Sequence, residues 1–394
     1  MMKTPALTMD SAARIGRAVT GREDLELRST AWSAVDYPTQ TIATEALNRA
    51  RLVFTAPDGT RVDLRLFVKE LRSPEHWPML SVVPPELRAD FLDGFPWRLE
   101  IAAYTGPLRE QLPDGIRLPQ LYAVEELGPG RAAMWLEDVA QPEDLEWDTA
   151  RFARAARLLG RMSARRRYGE VAPILGAASR FAQPASALRY MIAGRIRNLF
   201  LPAIDGEDLW THPVVAAALD AVRDPGLVAD LREWAGRIDG LLSYSDTLPM
   251  TYAHGDASPQ NLLVPVEDPD GFVAIDFGLD CPLPVGHDLG QLLVGLCHAG
   301  TLPADRLPEL SPAILAAHAE GLAAEGHRAT LDQIRGGYLS GLVLRSAFTA
   351  IPLERLAEPP SDQLIGHWAD RLRMTRALLD LADPALLHLM KESK

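Results

Sequence analysis

The sequence predicts an α+β fold in two lobes, a small sheet-containing N-terminal lobe and a larger, mainly helical lobe beyond it. Three observations carry this. A strand-like stretch at 50–55 meets the turn signal Pro57-Asp58-Gly59, after which Val62, Leu64, Leu66 and Val68 alternate with Asp63, Arg65, Phe67 and Lys69. After Gln141-Pro142-Glu143-Asp144 the texture changes to Ala, Leu and Arg at helical spacing, as in 152–167. Inside the helical remainder lies one short β-interlude, 262–264 and 272–275, joined by the turn Asp268-Pro269-Asp270-Gly271. A length of 394 residues suits two to three packed units at about 150 residues each.

In chain order, residues 1–30 are mixed and polar and are expected to form a mobile arm or a peripheral helix. The N-terminal lobe is assigned to 31–140. Its hairpin places Phe67 and Lys69 on one face and Leu66 and Val68 on the other, with Lys69 at the polar end of the strand. A Pro-broken loop at 73–85 leads to a helix around 95–106 and then to strands at 120–126 and 132–139, separated by Gly128-Pro129-Gly130. The second lobe is assigned to 141–394, with helices at 185–200, 213–223 and 227–243. From Leu289 it is helical again, with breaks expected at Pro303, Pro308, Pro312, Pro352, Pro359 and Pro360.

Composition excludes several function classes. Hydrophobic residues make up 47% and charged residues 24%, which supplies a buried core and excludes wholesale disorder. The balance of 40 Lys+Arg against 53 Asp+Glu gives −13, against a nucleic acid or an anionic membrane as main partner. Cys281 and Cys297 stand alone, without a CxxC pair, so neither a disulfide framework nor a zinc site is expected, and a reducing, cytoplasmic setting fits. Residues 1–19 lack the apolar stretch of a signal peptide, and no apolar run approaches the ~18 residues of a membrane span. Nothing in the sequence addresses oligomeric state.

The chemistry concentrates in one segment. Residues 254–261 read HGDASPQN, and 275–278 read IDFG. One carboxylate (Asp256) and one amide (Asn261) share a loop, and a second carboxylate (Asp276) ends the following hairpin strand. Hard oxygens for Mg²⁺, with a carboxylate to orient a hydroxyl and take its proton, are what phosphoryl transfer from a nucleotide requires. Because Mg²⁺ completes its shell with phosphate and water, two protein ligands suffice.

HGDASPQN, IDFG and the run Gly286-His287-Asp288-Leu289 resemble the aminoglycoside phosphotransferase and choline kinase family, which shares the protein-kinase-like fold. The resemblance covers about 45–350, densest at 252–290. It implies Asp256 as catalytic base, with His254 beside it in the catalytic loop (252–264), and Asn261 and Asp276 as Mg²⁺ ligands, the latter in a metal loop at 273–280. It also implies His254 and Asp288 as supports of the catalytic loop, His254 acting through hydrogen bonds more than directly. Lys69 is implied on the nucleotide phosphates, with Glu100 as its helix partner; on the residues alone, Glu86 or Glu110 could supply that partner. Met134 to Asp138 resemble the interlobe hinge (134–140), where backbone groups would meet adenine, bringing Glu137 and Asp138 to the nucleotide. The implied partners are ATP or GTP and a hydroxyl-bearing acceptor: an antibiotic, a sugar, an amino alcohol, or a Ser/Thr of a peptide. A non-catalytic regulator on the same fold is the alternative.

Three features depart from the family pattern. The segment 33–43, where a glycine-rich phosphate loop is expected, has no glycine, so Thr39, Gln40 or Thr41 side chains are its candidate substitutes. Phe67, beside Lys69, is expected to narrow the adenine pocket. The stretch before the catalytic loop is enlarged, and about 40 residues extend past the matched region. Asp280 and His287 are expected at the surface, and Arg154, Arg157, Arg161, Arg165, Arg166 and Arg167 as a solvated helix face paired with carboxylates.

Overall fold

In the computed structural model, residues 9–36, 41–177 and 179–392 are described. Helix α1 (Met9–Thr20) precedes β1 (Glu26–Ala34), β2 (Thr44–Thr55) and β3 (Arg61–Arg72). Helices α2 (Pro85–Gly94), α3 (Leu99–Thr105) and α4 (Leu108–Gln111) follow, then β4 (Ile116–Arg117), β5 (Leu121–Gly128) and β6 (Arg131–Glu137). Five strands form an antiparallel sheet in the order β1-β2-β3-β6-β5.

The sheet buries both faces, as the alternation in β3 requires. Leu66 and Val68 join Leu52, Phe54 and Trp135 in an outer core closed by Ala12 and Ile15 of α1, while Leu71 and Phe67 pack with the larger core that runs into the helical lobe. Residues 1–8 of the expected arm lie outside the described residues. The rest of it is a helix and an edge strand built into the lobe, because Ala12, Ile15 and Val19 recur at helical spacing and cover the sheet. Lys69 does not end its strand: β3 runs on to Arg72, and Lys69 pairs with Leu47 on one side and Met134 on the other.

The helical lobe opens with α5 (Thr149–Arg165), whose N-terminal N–H groups are capped by Asp148, its Oδ1 accepting from Arg151 N at 2.8 Å. The enlarged stretch contains α6 (Ser186–Met191), a π-helical segment (Ile192–Phe200), α7 (Leu201–Asp205), α8 (Glu207–Thr211), α9 (Pro213–Val222), α10 (Leu227–Gly236) and α11 (Ile238–Ser245). Strands β7 (Met250–Ala253), β8 (Leu262–Leu263), β9 (Phe272–Ala274) and β10 (Cys281–Pro284) then hold the motif loops, with β7 paired to β10 and β9 lying between β4 and β8. The chain closes with α12 (Asp288–His298), α13 (Leu307–Ala324), α14 (Leu331–Leu342), a second π-helical segment (Val343–Ala347), α15 (Asp362–Ala382) and α16 (Ala385–Glu392).

Pro308 and Pro312 do not break a helix. Both lie in α13, Pro308 in the first turn, where its missing N–H has no partner to lose, and Pro312 one turn later. The C-terminal extension packs on the enlarged stretch through Arg376 of α15, which reaches Asp224 Oδ2 at 2.5 Å and Asp230 Oδ2 at 2.8 Å. No helix among the described residues is long and apolar enough to cross a membrane.

Candidate active site

Lys69 crosses between the lobes. Its Nζ lies 2.5 Å from Glu100 Oε2 on α3 and 3.1 Å from Asp276 Oδ1 on the loop after β9. The Lys69 and Glu100 side chains are 8% and 6% exposed, whereas Asp276 is 42% exposed. Burial disfavours the ammonium ion, but the charges of Asp276 and Glu100 outweigh it and hold the Lys69 pKa above its ordinary value. Burial pushes the Glu100 carboxyl up to about 6, with Lys69 opposing. For Asp276 burial acts upward, and the Lys69 charge and hydrogen bond prevail, leaving the carboxyl below its usual range. Of Glu100, Glu86 and Glu110, it is Glu100 that lies on Lys69. Asp276 adopts φ +61°, a left-handed conformation that aspartate tolerates better than bulkier residues and that functional loops often hold.

The catalytic loop is clamped from beneath. Asp288, at the start of α12, accepts the His254 N–H at 3.0 Å on Oδ2 and the Gly255 N–H at 2.9 Å on Oδ1. Gly255 sits at φ +78°, and a Cβ there would come 2.4 Å from the Leu279 carbonyl oxygen, so this turn requires glycine. The His254 ring is fully buried. Nε2 donates to the Ile275 carbonyl at 2.8 Å and Nδ1 accepts the Asp256 N–H at 3.2 Å, an arrangement that assigns the ring proton to Nε2. With both nitrogens engaged, His254 has none left for a substrate; it links the catalytic loop to the residue before Asp276.

Asn261 ties the same loops. Its Nδ2 donates to the Asp256 carbonyl at 2.8 Å, and its own carbonyl accepts the Ile275 N–H at 3.0 Å, leaving Oδ1 as an uncommitted acceptor. Asp256 directs Oδ1 to Arg345 Nη2 at 2.8 Å, and Arg345, in the second π-helical segment, is 14% exposed. The motifs do not contain Arg345. The one sequence signal for it is isolation: it is the only charged residue between Arg335 and Glu354, in an otherwise apolar run.

The two hinge carboxylates are engaged by arginines. Glu137 is held bidentately by Arg117 at 2.7 Å and 2.7 Å and donates its backbone N–H to the Gln120 carbonyl, and Asp138 accepts from Arg49 Nε at 3.1 Å. Both carboxylates are thus already paired, and the backbone groups beside them are the remaining polar groups of the hinge. Of the substitutes for a glycine-rich loop, Thr39 and Gln40 lie outside the described residues; Thr41 Oγ1 accepts the Thr44 N–H at 3.1 Å within its own turn.

Two surface expectations are corrected. Asp280 is buried against Arg166 at 2.7 Å, with side chains 2% and 0% exposed, so Arg166 does not belong to the solvated stripe; its place after the end of α5 turns it inward. His287 is also buried, and burial followed by Arg345 pushes its imidazole down to about 3. The rest of the stripe is paired with carboxylates as expected: Arg154 with Asp270, Arg157 with Glu320, Arg161 and Arg165 with Glu325, and Arg167 with Glu170.

The donor set suits magnesium. Among the described residues there is no group of three His, Cys, Asp or Glu side chains able to hold a metal ion, while Asn261 Oδ1 and the partly exposed Asp276 carboxylate are hard acceptors on adjacent loops. A cation that retains water and phosphate needs no more than these two.

No protein-family model matches the chain, and no curated protein matches it. Solved structures do. The microcompartment-associated aminopropanol kinase is 14% identical with a TM-score of 0.51, covering 96% of this chain and 98% of that one. An amicoumacin kinase in complex with AMP-PNP, Ca²⁺ and Ami is 12% identical with a TM-score of 0.49, over 89% and 88% of the two chains. An aminoglycoside phosphotransferase from Alicyclobacillus acidocaldarius is 14% identical with a TM-score of 0.45, over 87% and 90%. At such identities the likeness is one of fold, carried by the first of the three: the chain has the two-lobed, kinase-like α+β architecture that its motifs resemble.

Proposed function

We propose that this kinase-fold chain is a phosphotransferase that moves the γ-phosphoryl group of a nucleoside triphosphate to a hydroxyl of a small molecule. The observation that carries the reading is Lys69, which joins Glu100 of the N-terminal lobe to Asp276 of the other. A buried lysine shared by two carboxylates is placed to exchange one of them for phosphate oxygens when nucleotide enters between the lobes. In this reading Lys69 anchors the α- and β-phosphates, Glu100 holds Lys69 in place, and backbone groups at the hinge beyond Glu137 meet the base of ATP or GTP.

Asn261 Oδ1 and Asp276 would hold Mg²⁺, which supplies charge neutralisation on the phosphates. The remaining roles belong to the chain. Asp256, with Oδ1 fixed by Arg345, offers Oδ2 to the acceptor hydroxyl. The hydroxyl oxygen forms a bond to the γ-phosphorus, the bond from that phosphorus to the β,γ-bridging oxygen breaks, and the hydroxyl proton passes to Asp256. His254, Gly255 and Asp288 keep Asp256 in register with Asp276. An antibiotic, a sugar, an amino alcohol or a peptide Ser/Thr would each meet these groups in the same way. The buried free thiols Cys281 and Cys297 suit a cytoplasmic setting.

The test is Asp256→Ala, assayed with γ-labelled ATP and GTP against a panel of hydroxyl compounds. Turnover is expected to fall by about 10²–10⁴-fold while the nucleotide still raises the melting temperature. Undiminished turnover rejects Asp256 as base. A wild-type chain that responds to no nucleotide favours the non-catalytic regulator.

A further inference from the structure

The two lobes also meet through aromatic rings. Between β3 and α3 the chain carries Trp77, Phe91 and Phe95, and the helical lobe answers with Phe181, in a single 3₁₀ turn (Arg180–Ala182), and Tyr190 of α6. Tyr190 is the centre. Its ring lies 6.2 Å from Phe91, tilted by only 18°, 6.1 Å from Phe95 and 5.9 Å from Phe181. Phe91 in turn stands 5.9 Å from Trp77 and 6.0 Å from Phe95, separations at which ring pairs attract beyond their burial. Arg180 adds a polar edge, with Nη1 3.6 Å from Asp90 Oδ2 and so close to Gly94 that a Cβ there would fall 2.4 Å from it.

Each half of this cluster leads to one of the carboxylates that share Lys69. Phe95 stands five positions before Glu100, and the run between them is tight: the Trp97 N–H donates to the Phe95 carbonyl at 2.9 Å and the Leu99 N–H to the Pro96 carbonyl at 2.8 Å. In the other lobe Ala185, between Phe181 and Tyr190, donates its N–H to the Pro282 carbonyl at 2.7 Å. Pro282 belongs to β10, which begins five positions after Asp276. Leu99, the first residue of α3, and Phe181 line one cavity of about 10 Å³ with Tyr252 and Asp280, so α3 rests on the helical lobe beside the rings.

Helix α3 needs such support. It spans seven residues and has no side-chain cap at its N-terminus, and a helix that short is held by tertiary contacts rather than by its own hydrogen bonds. What it packs against therefore decides where Glu100 stands.

We propose that the rings form an interlobe clamp that sets the spacing of Glu100 and Asp276 across Lys69, with Tyr190 as its positioning residue. The proposal deepens the phosphotransferase reading and rests on it for the consequence: the clamp keeps Lys69 and Asp276 ready for the nucleotide. The test compares wild type, Tyr190→Ala, Tyr190→Phe and Phe91→Leu as full chains, by titration with AMP-PNP and Mg²⁺ and by amide hydrogen exchange over 99–105.

In Tyr190→Ala, α3 is expected to lose protection and AMP-PNP to bind roughly tenfold weaker, as when the competent arrangement is populated about a tenth of the time. Phe91→Leu keeps apolar bulk without the ring, and is expected to change both readouts in the same direction if Tyr190→Ala folds poorly. Tyr190→Phe is expected to match the wild type, because the Tyr190 hydroxyl is buried without a hydrogen-bond partner among the described residues. On a Glu100→Gln background, Tyr190→Ala is expected to cost no further affinity, which a ring acting only as packing would not show. The proposal is overturned if α3 exchange stays at the wild-type level, if affinity holds while the melting temperature falls, or if Tyr190→Phe is as damaging as Tyr190→Ala. A wild type that ignores AMP-PNP and Mg²⁺ sinks the phosphotransferase reading instead, and α3 exchange then decides the clamp alone.

Discussion

Replacing Lys69 with Met removes the cation that Glu100 and Asp276 share. Asp276 is partly exposed and can turn to water; Glu100 cannot. With Lys69 present, the Glu100 carboxyl sits at about 6 against an ordinary value of 4.5. A folded-state pKa above the unfolded one means that folding binds the proton, so this group's contribution is complete below 4.5 and is lost as pH rises through about 6. That loss is ~2 kcal/mol in the wild type, at about 1.4 kcal/mol per pH unit.

Without Lys69 the Glu100 pKa climbs further, and the loss continues to higher pH. Keeping Glu100 protonated at pH 7.5 costs up to ~4 kcal/mol relative to its ordinary ionisation, in line with the ~3–5 kcal/mol for breaking a buried pair. At pH 5.5 the same reckoning gives ~1.4 kcal/mol, less than the wild type itself bears by pH 7. Urea unfolding of wild type, Lys69→Met and Lys69→Met/Glu100→Gln at the two pH values measures this. The single variant is expected to be destabilised by about 2 kcal/mol at pH 7.5, with the difference vanishing near pH 5.5, and the double variant to recover most of it. A destabilisation that is equal at both pH values, or that Glu100→Gln does not relieve, refutes the reasoning.

The Arg166–Asp280 pair is nearly sealed from solvent. Asp280→Asn is expected to lower unfolding free energy by about 3–5 kcal/mol, since it leaves a buried guanidinium without its counter-charge; a loss under ~1 kcal/mol would mean that water reaches the pair. At Gly255, alanine meets both a left-handed backbone and the Leu279 carbonyl. Gly255→Ala is therefore expected to reduce kcat at least about tenfold by moving Asp256, with smaller effect on nucleotide affinity, and unchanged kinetics would contradict the tight turn assigned there.

How much was legible in the sequence follows physical lines. Local signals served where one periodicity or one turn dominates: Pro57-Asp58-Gly59 marked the β2–β3 turn, and the alternation at 62–69 sorted Leu66 from Phe67 correctly between the two cores. The motif residues Asp256, Asn261 and Asp276 meet because their loops are tied by the Ile275 backbone and His254. Distance along the chain hid the rest. The residues around Lys69 gave only a polar strand end, and its pairing with Glu100 was expected from the resemblance alone, since nothing local tells that β3 continues or that two carboxylates wait in the cleft. Arg166 shares the spacing of its exposed neighbours, and only its partner Asp280, 114 positions on, reveals that it is buried. Arg345 belongs to a π-helical turn, which no helical period of 3.6 residues announces.

The central claim is that Asp276 serves the metal-bound nucleotide and Asp256 serves the acceptor. Isothermal titration of ATP with and without Mg²⁺ into wild type, Asp256→Ala and Asp276→Ala tests it most directly. Mg²⁺-dependent binding is expected in the wild type, near-equal binding in Asp256→Ala, and affinity at least about tenfold weaker in Asp276→Ala, the loss of one charged metal contact. Equal affinities in all three chains, or weakening by Asp256→Ala rather than Asp276→Ala, would contradict it.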